Sequence, residues 1–90
     1  MNFVWDPAKA AANIRKHGVP FEEAVSVFLD VLSITGADPD HSEGESRWLI
    51  FGLSSFGRLL VVSHTEDYDT VRIISARPCT SVERKLYEKS

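Results

Sequence analysis

From Trp48 to Ala76 the chain alternates apolar, β-branched blocks with short polar turns. Trp48–Leu53, Arg58–Thr65 and Thr70–Ala76 read as strands, with Ser54–Gly57 and Glu66–Asp69 as the turns between them. Turns this short cannot hold the crossover of roughly a dozen residues that parallel neighbours need, so the three strands must run as an antiparallel meander. Trp48–Leu53 is apolar throughout, the pattern of a central strand covered on both sides. A further strand is predicted over Val31–Thr35, closed by a turn at Gly36-Ala37-Asp38-Pro39.

Helices bracket the meander. Asp6 can cap a first helix, Pro7 suits its first position, and Gly18 suits its C-terminal cap. Pro20 starts a second helix, in which Phe21, Ala24, Val25 and Phe28 share one face and Glu22 and Glu23 meet the positive dipole end. Thr80 and Glu83 form a capping box for a third helix over Ser81–Lys89, with Lys85 and Lys89 near its negative end. Residues 2–5 read as a short strand or a packed arm. The expected fold is α+β: one domain over residues 1–90, a four-stranded antiparallel sheet with two N-terminal helices and one C-terminal helix on one face.

At 90 residues, 43% hydrophobic and 26% charged, the chain is globular rather than disordered. No apolar run approaches the roughly 18 residues of a membrane span, and the first residues lack a signal-peptide pattern. Cys79 is the one cysteine, so no internal disulfide can form and a reducing cytoplasm is the expected compartment. The net charge of -3 argues against coating nucleic acid electrostatically, yet its distribution is uneven. Lys9, Arg15 and Lys16 near the start and Arg72, Arg77, Arg84, Lys85 and Lys89 near the end flank a middle in which residues 21–45 carry carboxylates and no base. The two ends together can build a basic surface.

Phosphate-binding glycine loops, HExxH, CxxC and nucleophile-elbow patterns are missing from the sequence. The residues left to carry chemistry are polar groups set in apolar strands. His64, ending LLVVSHT, suits proton transfer near neutral pH, with Glu66 two residues on to orient it or act beside it. Arg72 and Arg77, on VRIISARP, could clamp phosphate and stabilise a phosphorane. A hairpin pairing His64 with Val71 and Arg58 with Arg77 would put His64, Arg58 and Arg77 on one face and Arg72 on the other. Lys9, Asn13 and Lys16 make a polar stripe on the first helix, suited to a phosphate backbone, with His17 beside it. His41 and the carboxylates of DPDHSEGES satisfy no metal-ligand spacing, and neither a metal nor a cofactor is expected. Trp5 and Trp48 are expected as core anchors.

Taken in order, FVWDPAKAAANIRKHGVPFEEAVSVFLD, DPDHSEGESRWLIFGLS, GRLLVVSHTE, VRIISARP and ERKLYE resemble the BrnT family of bacterial type II toxins across residues 3–88. The resemblance implies a RelE-like fold and a small ribonuclease that cuts RNA and slows translation. It also implies a BrnA-like partner, a ribbon-helix-helix antitoxin through which DNA is bound indirectly. A homodimer and a heterotetramer both stay open. Carried over by position, the family's polar residues are Arg47, His64, Glu66, Arg72 and Arg77, with Lys9, Asn13, Lys16 and Arg58 expected as RNA contacts. The family commonly has basic residues after its HTE-like and SAR triplets, where this chain has Asp67 and Pro78. Those two changes raise an alternative: a catalytically degenerate module that holds its antitoxin and tunes repression.

Overall fold

The structure, a computed structural model, describes residues 1–39 and 46–89. Its elements run β1 (Asn2–Val4), α1 (Pro7–His17), α2 (Phe21–Val27), β2 (Ile34–Ala37), β3 (Trp48–Leu53), β4 (Leu59–Asp67), β5 (Thr70–Pro78) and α3 (Ser81–Lys89). The sheet has five strands rather than four, in the order β1-β5-β4-β3-β2, and it is mixed. The meander β2 to β5 is antiparallel as expected, but residues 2–4 add a strand parallel to β5. The chain joining that parallel pair contains α1, α2 and the other three strands, so a count of turn lengths cannot show it.

Local chemistry sets the helix ends. The Asp6 carboxylate accepts the Ala8 N–H at 2.8 Å, Pro7 occupies the first turn, and Gly18 closes α1 at φ 70°. That left-handed angle is one a glycine adopts without a Cβ penalty. Pro20 caps α2 from outside rather than opening it. Around α3 the capping box forms as expected: the Thr80 N–H donates to Glu83 Oε1 at 2.8 Å, and the Glu83 N–H donates to Thr80 Oγ1 at 3.2 Å.

β2 begins three residues later than Val31. The Asp30 carboxylate accepts the N–H groups of Leu32 and Leu53, holding Val31 and Leu32 in a turn where Val31 is 95% exposed. The strand then continues through Gly36 and Ala37, which the sequence suggested for a turn. The core lies on one face of the sheet, where Val19, Phe21, Ala24 and Val27 pack on Ile50, Leu60, Val62, Val71, Ile73 and Ala76. β3 is therefore covered chiefly on this side, through Ile50 and Gly52. Trp5 packs edge-on against Phe21, whereas Trp48 stays partly exposed rather than anchoring the core.

The β4–β5 register departs from the expected one. A two-residue loop, Tyr68-Asp69, joins Asp67 to Thr70, so Val71 pairs with Glu66 and His64 with Ile73. Tyr68 takes φ 54° to make that tight turn. Farther along, Ser63 pairs with Ser75 and Val61 with Arg77, leaving Ile74 as an extra bulged residue. The bulge lets Ile73 and Ala76 both face the core.

Candidate active site

Strand pairing sorts the predicted site residues onto two faces, because partners across a ladder point the same way. Arg72, Ser75 and Arg77 pair with Thr65, Ser63 and Val61, and all point away from α1 and α2. His64 and Glu66 pair with Ile73 and Val71 and point toward the helices. The expected grouping of His64, Arg58 and Arg77 is thus corrected: Arg77 lies across the sheet from the other two. The tight hairpin and the bulge at Ile74 are the cause.

On the face away from the helices, a cavity of about 190 Å³ is lined by Asp38, Arg47, Leu49, Val61, Ser63, Ile74, Ser75 and Arg77. Arg47 and Asp38 reach it from adjoining chain segments, tied where the Asp38 N–H donates to the Arg47 carbonyl at 2.9 Å. The Asp38 side is 7% exposed. Arg77 is held from α3, donating from Nη1 and Nη2 to the two Glu83 oxygens at 2.7 and 2.8 Å. This paired geometry, with a smaller opposing effect of burial, holds the Glu83 carboxyl at about 2 and raises Arg77 further. Arg72 shares the face but is solvent-exposed at the other end of β5.

His64 is sealed in the core at 0% exposure, edge-on to Phe28 with ring centroids 4.9 Å apart. Its Nδ1 lies 3.3 Å from the Val62 carbonyl and its Nε2 lies 3.1 Å from Glu66 Oε2. Glu66 itself is exposed at the edge. Arg58, expected as an RNA contact, is engaged within the fold. It donates from Nε and Nη2 to the Glu23 carboxylate, and from Nη2 to the Gly18 carbonyl. Glu23 is 3% exposed, and its bonds from Arg58 and the Ser54 hydroxyl overcome burial to keep its pKa low. Arg58 therefore neutralises a buried charge.

Asn13, also expected as an RNA contact, is likewise bonded within the fold. It donates from Nδ2 to the Val19 and Ala76 carbonyls, both at 2.9 Å, and accepts the Ala76 N–H at 3.1 Å. Lys9 and Lys16 remain exposed on either side of it, facing a separate groove with His17. Asp38, which the sequence places in a turn, lines the cavity with Arg47 and Arg77. No local pattern marks it, because β2 reaches Ala37 only through pairing of Gly36 and Ala37 with Leu49 and Trp48. Among the described residues no cluster of three metal-ligating side chains exists; His41 and its neighbouring carboxylates at 40–45 lie outside them.

A family model for the ribonuclease toxin BrnT of type II toxin–antitoxin systems matches residues 5–83. The chain belongs to the BrnT family. The family description makes it a ribonuclease toxin family, and a type II system implies an antitoxin partner. The fold of this BrnT-family protein is similar to the crystal structure of the Brucella abortus ribonuclease toxin BrnT, with a TM-score of 0.61 and 22% identity. That match covers 90% of this chain and 99% of the other. No curated protein matches the sequence significantly. No helix among the described residues is long and apolar enough to cross a membrane.

Proposed function

We propose that this protein is the toxin of a type II system and acts as a metal-independent endoribonuclease in the cytoplasm, slowing translation until a BrnA-like ribbon-helix-helix antitoxin binds it. The observation that carries this reading is the cavity in which two guanidiniums, Arg47 and Arg77, meet one buried carboxylate, Asp38. Phosphate with its developing negative charge is the natural occupant of such a pair of cations. In the reaction the ribose 2′-oxygen bonds to the adjacent phosphorus and its proton passes to Asp38. The bond to the 5′-oxygen breaks, that oxygen takes a proton from water, and a 2′,3′-cyclic phosphate remains. Arg77, fixed in place by Glu83, and Arg47 stabilise the phosphorane. Ser63 and Ser75 supply hydroxyls at the wall, and Arg72 extends the positive face along β5. His64, which cannot touch substrate from the core, supports β4, while Glu66 stays exposed at its end.

The test is cleavage of a labelled single-stranded RNA, together with growth after induction. Arg77→Ala should lower the cleavage rate by about 100-fold or more and relieve growth arrest. Asp38→Asn should do so too, with both variants still binding the antitoxin. Full activity in Arg77→Ala would remove the cavity from the reaction. Asp67 and Pro78, both exposed where the family is commonly basic, favour a second reading, the degenerate binding module. Harmless expression of the wild type with tight antitoxin binding would establish that reading instead.

A further inference from the structure

The face of α1 formed by Lys9, Ala12, Asn13, Lys16 and His17 stands over β5 and encloses a groove of about 200 Å³, floored by Ile74 and Ser75. Those same two residues wall the Arg47–Arg77 cavity on the other side of the strand. The bulge at Ile74 is thus a narrow ridge between two basic hollows, one made by arginines and one by lysines. Asn13 sets the groove's width, since its three hydrogen bonds tie the middle of α1 to Ala76 and Val19 and leave Lys9 and Lys16 a turn to either side. Both lysines are exposed and neither makes an ion pair among the described residues. In a chain with net charge -3, such a basic hollow next to a second one marks a path for a polyanion.

We propose that single-stranded RNA crosses β5 at the bulge, with its reacting phosphate beside Arg47 and Arg77 and a flanking phosphate held between Lys9 and Lys16. This deepens the ribonuclease reading and rests on it. The flanking subsite binds ground state and transition state alike, so it acts on KM and leaves kcat unchanged. It also makes substrate length matter, because a dinucleotide has a single phosphate and cannot fill both hollows.

The experiment compares wild type with the Lys9→Gln/Lys16→Gln double variant, and with Lys85→Gln/Lys89→Gln on α3 as a control that removes equal charge elsewhere. On a long single-stranded RNA the groove variant should raise KM several-fold at unchanged kcat. Its log–log salt slope should fall by about 0.7, the contribution of the one flanking phosphate contact on a single strand. On a dinucleotide all three proteins should perform alike. Equal KM for the groove variant and the wild type on long RNA overturns the proposal. So does an equal loss in the α3 control or on the dinucleotide, since either would mean a diffuse field. A wild type that cleaves no RNA removes the ribonuclease reading; the groove is then judged by fluorescence anisotropy of a labelled oligonucleotide. There, equal affinity of wild type and groove variant, including no binding by either, overturns it.

Discussion

The His64 ring touches Phe28 along one edge and reaches the Glu66 carboxylate and the Val62 carbonyl with its nitrogens. Removing a fully buried ring loses transfer energy and leaves a cavity, so His64→Ala should cost about 2–4 kcal/mol. A thermal melt should show Tm lower by about 10 °C or more. A His64→Ala protein that melts like wild type yet cannot cleave RNA would return the ring to the reaction. At Glu83 the relevant property is charge. Its folded pKa of about 2 lies below the ordinary 4.5, so the Arg77 contact adds stability above pH 4.5 that is lost as pH falls toward 2. Discounted for solvent screening, Glu83→Gln should cost about 1 kcal/mol at neutral pH. The gap in Tm between wild type and Glu83→Gln should close across that acidic window; a gap constant with pH would exclude the linkage.

Among elements, the junction of α1 with β5 is tied by the Asn13 side chain. Asn13 supplies two donor bonds and one acceptor bond where a helix meets a strand with no backbone ladder between them. Asn13→Ala strands the Ala76 N–H and two carbonyls, and should cost about 3 kcal/mol in a denaturant titration. Hydrogen exchange at Ala76 should accelerate in the same variant. An Asn13→Ala protein of wild-type stability would mean that water replaces all three bonds. The opposite attachment, at α3, has a different character. That helix buries none of its residues fully and is fastened by Glu83 to Arg77 at its start and by the Tyr87 hydroxyl to Asp30 Oδ2 at 2.6 Å near its end.

For the whole molecule, the sheet divides labour. One face carries the apolar core under α1 and α2, and the other presents Arg47, Arg72 and Arg77. If guanidiniums stabilise the phosphorane, cleavage of a labelled RNA should persist in excess EDTA and gain nothing from added magnesium. Activity lost to the chelator and restored by magnesium would redirect attention to a metal-assisted reaction.

Several features are decided by neighbours in sequence and were readable without a structure. Asp6, Pro7 and Gly18 bound α1 through hydrogen bonds and backbone angles internal to one segment, and Thr80 with Glu83 opens α3 in the same way. The meander of β3, β4 and β5 follows from apolar blocks on turns too short for any other connection. The family, too, was apparent from the ordered blocks of sequence. What stayed hidden depends on residues far apart. The pairing of Asn2–Val4 with Thr70–Arg72 gains its hydrogen bonds across the whole chain, so no local pattern announces it. The faces of His64 and Arg77 depend on register, and one tight hairpin with one bulged residue was enough to place them on opposite sides of the sheet. Arg58 and Asn13 are polar in sequence for reasons that tertiary structure alone reveals: a buried Glu23 needs a cation, and the edge of β5 needs a donor and an acceptor.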